Sequence, residues 1–178
     1  MKKKKILLID GYNIIHAWGE LKKIIADDDA DFYIAREKLI EMMGNYSGYS
    51  YEDIIIVFDA HKVQSRIETH EKHGNIHVIY TRQFQTADEY IELFVGKNAR
   101  EYSIEVATSD NLEQVIVMGR GGKKIDAQNL YMRVKDTSKN MSDKYINNDT
   151  SYLKNTNKLF ENLDSETAKW LDDLRFKN

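Results

Sequence analysis

Neither cysteine nor proline occurs among the 178 residues. Without cysteine there are no disulfide staples, thiolate metal sites or thiol nucleophiles, which fits a reducing compartment and leaves carboxylates and histidines as metal ligands. No function is read from the lack of proline or from the many Lys, Asn, Ile and Tyr residues. An excess of one charge sign is missing too: 26 Lys and Arg stand against 29 Asp and Glu, a formal net charge of -3. A nucleic-acid partner would therefore have to be met by local basic patches. Apolar runs are only a handful of residues long, against the ~20 that span a bilayer. Lys2 to Lys5 lead into Ile6 to Ile9 alone, too little for a signal peptide. The expectation is a soluble, cytoplasmic protein with no membrane segment, of a length that suits a single domain.

What is present is organised around Ile6-Leu7-Leu8-Ile9-Asp10-Gly11-Tyr12-Asn13. An unbroken aliphatic run reads as a strand buried on both faces of a parallel sheet. Asp10 falls at its carboxyl end, the edge where open α/β sheets place ligands. Gly11 permits a sharp turn and close approach, and Asn13 offers an amide for capping or for a ligand. A short helix over Ile14 to Glu20 follows, with Ile14, Ile15 and Trp18 on one face. A core-packing helix then carries Ile34, Ala35, Leu39, Met42 and Met43 at helical spacing. Asp53 to Phe58 repeats the first strand and is again followed by aspartate, Asp59. Residues 60–73 read as an exposed connection, Ile76 to Tyr80 as a third strand, and Thr86-Ala87-Asp88-Glu89 as a capping box opening a helix. Asp88 precedes Ile91 by three positions and Val95 by seven, which puts a carboxylate on the sheet-facing stripe. A fourth strand, Ser103 to Ser109, leads into Asp110. A helix to about Met118 carries Leu112, Val115 and Ile116, and the segment from Gly119 to Lys124 reads as a loop before a longer helix capped by Asp126. The polar stretch 140–157 reads as a loop, followed by short amphipathic helices with Leu159, Phe160, Trp170 and Leu174.

Alternating strands and helices imply a mainly parallel sheet whose strand carboxyl ends share one edge. Asp10, Asp59 and Asp110 then converge there, with Asp88 close by. So many like charges are costly unless a cation neutralises them, and hard oxygen ligands suit Mg²⁺ or Mn²⁺. The chemistry this suggests is metal-assisted phosphodiester hydrolysis with one or two ions, drawing on the four carboxylates Asp10, Asp59, Asp88 and Asp110. Asn13, Thr108 and Ser109 would orient water or phosphate, or serve as caps, and Glu89 is a supporting residue. Arg82, Arg120, Lys123 and Lys124 are candidate phosphate contacts, and Tyr12 and Trp18 candidate base-stacking rings. His16, His61, His70, His73 and His77 show no ligand spacing; His61, two residues after Asp59, is the one worth testing.

In order and spacing, Leu8 to Asn13, Val57 to Ala60, Thr86 to Glu89 and Val106 to Asp110 resemble the YacP-type NYN-domain proteins of the PIN-like nuclease superfamily. Gly121-Gly122 matches the family's glycine pair before the next helix. The resemblance covers about Lys4 to Lys135. It implies a PIN-like three-layer α/β/α sandwich over 1–139, with 140–178 packing on or extending from it. It further implies Mg²⁺ or Mn²⁺ at the acidic cluster and cleavage of single-stranded RNA, mRNA with a link to the ribosome. By the match Asp10, Asp59, Asp88 and Asp110 are catalytic metal-site residues, with Asp10, Asp88 and Asp110 as the ligands, supported by Asn13 and Ser109. Two other readings compete. A haloacid-dehalogenase-type phosphohydrolase needs a second aspartate two residues after the first, where Tyr12 stands. An RNA- or ribosome-binding adaptor with an inactive centre is disfavoured by the intact carboxylates.

Overall fold

The computed structural model describes residues 3–26, 31–46, 51–59 and 68–139. His61 and the whole of 140–178 lie outside them, as do the readings made there. Six strands form one sheet: β1 (Lys5–Asp10), β2 (Asp53–Phe58), β3 (Thr69–His73), β4 (Ile76–Tyr80), β5 (Ser103–Thr108) and β6 (Lys123–Asp126). Their order is β3-β4-β2-β1-β5-β6, parallel throughout except for β3, which runs antiparallel to β4.

Side-chain alternation along these strands builds two cores. Leu7 and Ile9 share one face with Ile54, Ile56, Phe58, Val78 and Ala107. That face is covered by α1 (Gly11–Ala17), α2 (Gly19–Ile24), α3 (Asp31–Tyr46) and a helix α6 over 127–139. Ile6 and Leu8 share the other face with Ile55, Val57, Ile104 and Val106, under α4 (Ala87–Asn98) and α5 (Asn111–Gly119). The result is the expected three-layer α/β/α arrangement. Each fully buried Leu or Ile contributes ~1.5–3 kcal/mol, so the unbroken apolar runs decide which strands sit in the middle. Among the described residues no helix is long and apolar enough to cross a membrane.

Four local readings are corrected. Residues 69–73, read as part of a connection, are β3, a fully exposed edge strand whose polar Thr-His-Glu-Lys-His sequence gives no apolar period. Lys123 to Asp126, read as a loop, is β6, short and with only Ile125 buried. The first helix breaks at Trp18 into α1 and α2. On α5 the apolar residues Leu112, Val115 and Ile116 are exposed, while Glu113, Gln114 and Val117 face inward.

Candidate metal centre

β1 lies between β2 and β5, so the ends of the three strands that lead into Asp10, Asp59 and Asp110 are neighbours. Asp10 also caps α1, its Oδ1 accepting from the Asn13 amide at 3.1 Å. Gly11 is required by contact: a Cβ there would lie 2.2 Å from the Phe58 ring, which is fully buried. Asn13 reaches across to the end of β5, where its Oδ1 accepts from the Ser109 backbone amide at 2.7 Å and from the Ser109 hydroxyl at 2.5 Å.

On the opposite face Thr86 caps α4, its hydroxyl accepting from the Glu89 amide at 3.2 Å, and places Asp88 in the first turn. Asp110 caps α5, its Oδ1 accepting from Leu112 N at 2.7 Å and Glu113 N at 3.2 Å. The two helix starts bring in a residue that the sequence reading had left out. One carboxylate oxygen each from Asp10, Asp88 and Glu113 lie within 4.8 Å of one another. Glu113 is 5 % exposed, and among the described residues its carboxylate meets no close donor beyond the pull of the Thr108 hydroxyl.

The electrostatics are those of carboxylates crowded together away from water. Burial, reinforced by the Asp88 charge and a hydrogen bond with Asp88, raises the Asp10 carboxyl to about 6 against the pull of the Asn13 amide. Asp88 is exposed as a residue, yet its carboxyl is also raised, by desolvation and then by Asp110. Burial pushes Glu113 up to about 8; Thr108 pulls it down, and Asp10, Asp88 and Asp110 push further up. Carboxylate oxygens from three residues converging on one point, one of them buried, could hold a metal ion.

Glu113, in the place where Asp110 is expected as third ligand, groups with Asp10 and Asp88, and an Asp110 oxygen is engaged as the helix cap. Asp110 and Asp59 act on the group through their charges. The Thr108 hydroxyl accepts from the Asp110 amide at 3.0 Å. Glu89 adds a like charge beside Asp88.

The expected stacking rings are core residues. Trp18 is 1 % exposed, its Nε1 donating to the Ala127 carbonyl at 2.9 Å, and Tyr12 packs edge-on against Phe32 and Phe58 with its hydroxyl accepting from Arg36. Neither presents a face to a base. Of the basic residues, Arg82 follows β4 at the acidic edge. Arg120 ends α5 and pairs with Glu92, which lines a cleft with Asp88, Asp110 and Glu113, while Lys123 starts β6 at the opposite edge. Lys124 donates to Gln114 Oε1 at 3.1 Å.

Comparison with known proteins decides the family. The model of the YacP-like NYN domain matches residues 7–176. The chain belongs to the YacP-like NYN domain family. It is 41% identical over 130 residues, 72% of this chain and 74% of the relative, to the uncharacterized protein YacP of Bacillus subtilis (strain 168). The crystal structure of Rae1 (YacP) from Bacillus subtilis superposes with a TM-score of 0.69 at 32% identity, covering 97% of this chain and 95% of that one. A single-substitution mutant of that protein gives the same TM-score and identity over 96% of this chain and 99% of its own. The family match spans the candidate centre, from Asp10 to Glu113.

Proposed function

We propose that the chain is a metal-dependent endoribonuclease that cleaves single-stranded RNA. The observation that carries this reading is the Asp10–Asp88–Glu113 group at the carboxyl edge of the sheet, with Asp10 and Glu113 both buried.

In this reading Asp10, Asp88 and Glu113 hold the ion. When bound there, a divalent ion lowers the pKa of a water and offsets the charge that develops on the scissile phosphate. The protein's part is to hold the donors in place. Asp10 is fixed by its cap to α1, Asp88 by the Thr86 cap of α4, and Glu113 by the Asp110 cap of α5. The Asn13–Ser109 strap fixes the separation of the β1 and β5 ends between which the group forms. Asp59 and Asp110 add negative charge that favours binding a cation.

RNA, with mRNA as the natural form and the ribosome as a partner, is the substrate class to which the family resemblance points. The test is incubation of the purified chain with single-stranded RNA, with and without ribosomes, in Mn²⁺, Mg²⁺ or EDTA. Cleavage that needs the ion is the expected result. RNA binding without cleavage under any of these conditions would support the adaptor instead.

A further inference from the structure

The turn between β4 and α4 breaks a local rule of sequence. Gln85 N donates to the Arg82 carbonyl at 3.0 Å, closing a four-residue turn with Gln83 and Phe84 at its centre. Phe84 has φ of +69°, and among the described residues it is the one non-glycine residue with positive φ. Positive φ at the third position alone defines a type II turn, a place that glycine or asparagine fills. A bulky aromatic residue there is an outlier. Burial gives no compensation, because Phe84 is 82% exposed. The two sides of the turn are fixed: Thr81 is fully buried, its hydroxyl donating to the Gln85 carbonyl at 2.7 Å, and Gln85 is 8% exposed. The backbone at Phe84 is thus strained and held on a firm base, and its side chain is solvated.

Its place in the fold gives it a use. Phe58 pairs with Tyr80, so the turn leaves the sheet level with Asp59, and Asp88 lies four positions beyond Phe84. Arg82, two residues before it in the same turn, is an exposed cation. An exposed aromatic side chain and an exposed arginine on one turn are the equipment that sequence-tolerant binding of single strands uses, stacking for the base and charge for the phosphate. The two rings first expected in this role, Tyr12 and Trp18, are buried. We propose that Phe84 is the nucleobase-stacking platform of the centre, with Arg82 holding an adjacent phosphate; this rests on the RNA reading above. Phe84 is a positioning residue for the strand, with no part in bond breaking.

The proposal predicts effects of opposite sign. The full-length chain and its Phe84→Gly and Phe84→Trp variants are titrated at low ionic strength, in EDTA to prevent turnover, with a fluorescein-labelled single-stranded uridine oligomer; each is also melted. Phe84→Gly relieves the strained φ and raises the melting temperature by about 2–4 °C, while weakening the oligomer about 5- to 100-fold. Phe84→Trp keeps wild-type affinity, and its added indole emission is quenched by the oligomer. Equal affinity of Phe84→Gly and wild type overturns the platform, as does a wild-type chain that binds no oligomer. The nuclease reading fails separately, if the oligomer binds but Mn²⁺ brings no cleavage.

Discussion

Asn13 and Ser109, 96 positions apart, are joined through one amide oxygen, which accepts both the Ser109 backbone N–H and its hydroxyl. This strap ties the first turn of α1 to the end of β5. Asn13→Ala removes the acceptor and leaves both donors to water. It is expected to cost ~1–2 kcal/mol of stability and to slow metal-dependent RNA cleavage by roughly 10-fold or more, because a displacement of about 1 Å at a reacting centre has that scale of effect. Chemical denaturation and single-turnover kinetics on the same preparation check both.

The raised carboxyls set the pH dependence of the metal-free protein. Glu113 goes from an ordinary 4.5 to about 8 on folding, and Asp10 from 3.8 to about 6. Between those values the folded chain keeps protons that the unfolded chain has released. Their contribution is therefore fully present below about 4 and is lost as pH rises through about 6 and then about 8. Denaturation in EDTA should show stability falling over that window by a few kcal/mol. Glu113→Gln should remove most of the upper part and leave the metal-free variant more stable than wild type at pH 8. Mn²⁺ should flatten the wild-type profile, binding more tightly as pH rises.

Gly11→Ala forces a methyl group to within 2.2 Å of the Phe58 ring, which is itself held by Tyr12 and Tyr80. Overpacking of this kind costs ~1–3 kcal/mol. Pairing it with Phe58→Leu should recover part of the loss, a coupling that a double-mutant cycle by denaturation measures.

Trp18→Phe tests the reassignment of that ring from RNA contact to core. Loss of the hydrogen bond to Ala127, which leaves a buried carbonyl unpaired, is expected to cost ~1–3 kcal/mol, with affinity for single-stranded RNA unchanged in a binding titration. Weakened RNA affinity at full stability would return the ring to the interface.

How much of this could be read in the residues follows from their periodicity. Ile6 to Ile9 and Ile54 to Phe58 declare central strands because nothing but burial on both faces explains them, and the aspartates that follow fall at one edge by topology alone. β3 and β6 carry no such pattern; their pairing comes from neighbouring strands, so their own residues are silent about it. Asp88 was legible because it lies on the stripe of Ile91 and Val95. Glu113 lies on the stripe of Val117 in the same way, but the more conspicuous Leu112, Val115 and Ile116 pointed to the opposite face, and its spacing from Asp110 reads as a capping box. The signal was a carboxylate four residues before the one apolar side chain of α5 that faces inward. Trp18 and Tyr12 show the converse error: proximity in sequence to Asp10 says nothing about which way a ring on α1 points.

The central claim is that Asp10, Asp88 and Glu113 together hold the ion that cleaves RNA. Its most direct test is Mn²⁺-dependent cleavage of a single-stranded RNA by the wild type and by Asp10→Asn, Asp88→Asn and Glu113→Gln, each shown to be folded. The account predicts cleavage by the wild type and a loss of at least about 100-fold in each variant, the scale of removing one group that stabilises a transition state. Undiminished cleavage by the folded variants would contradict it.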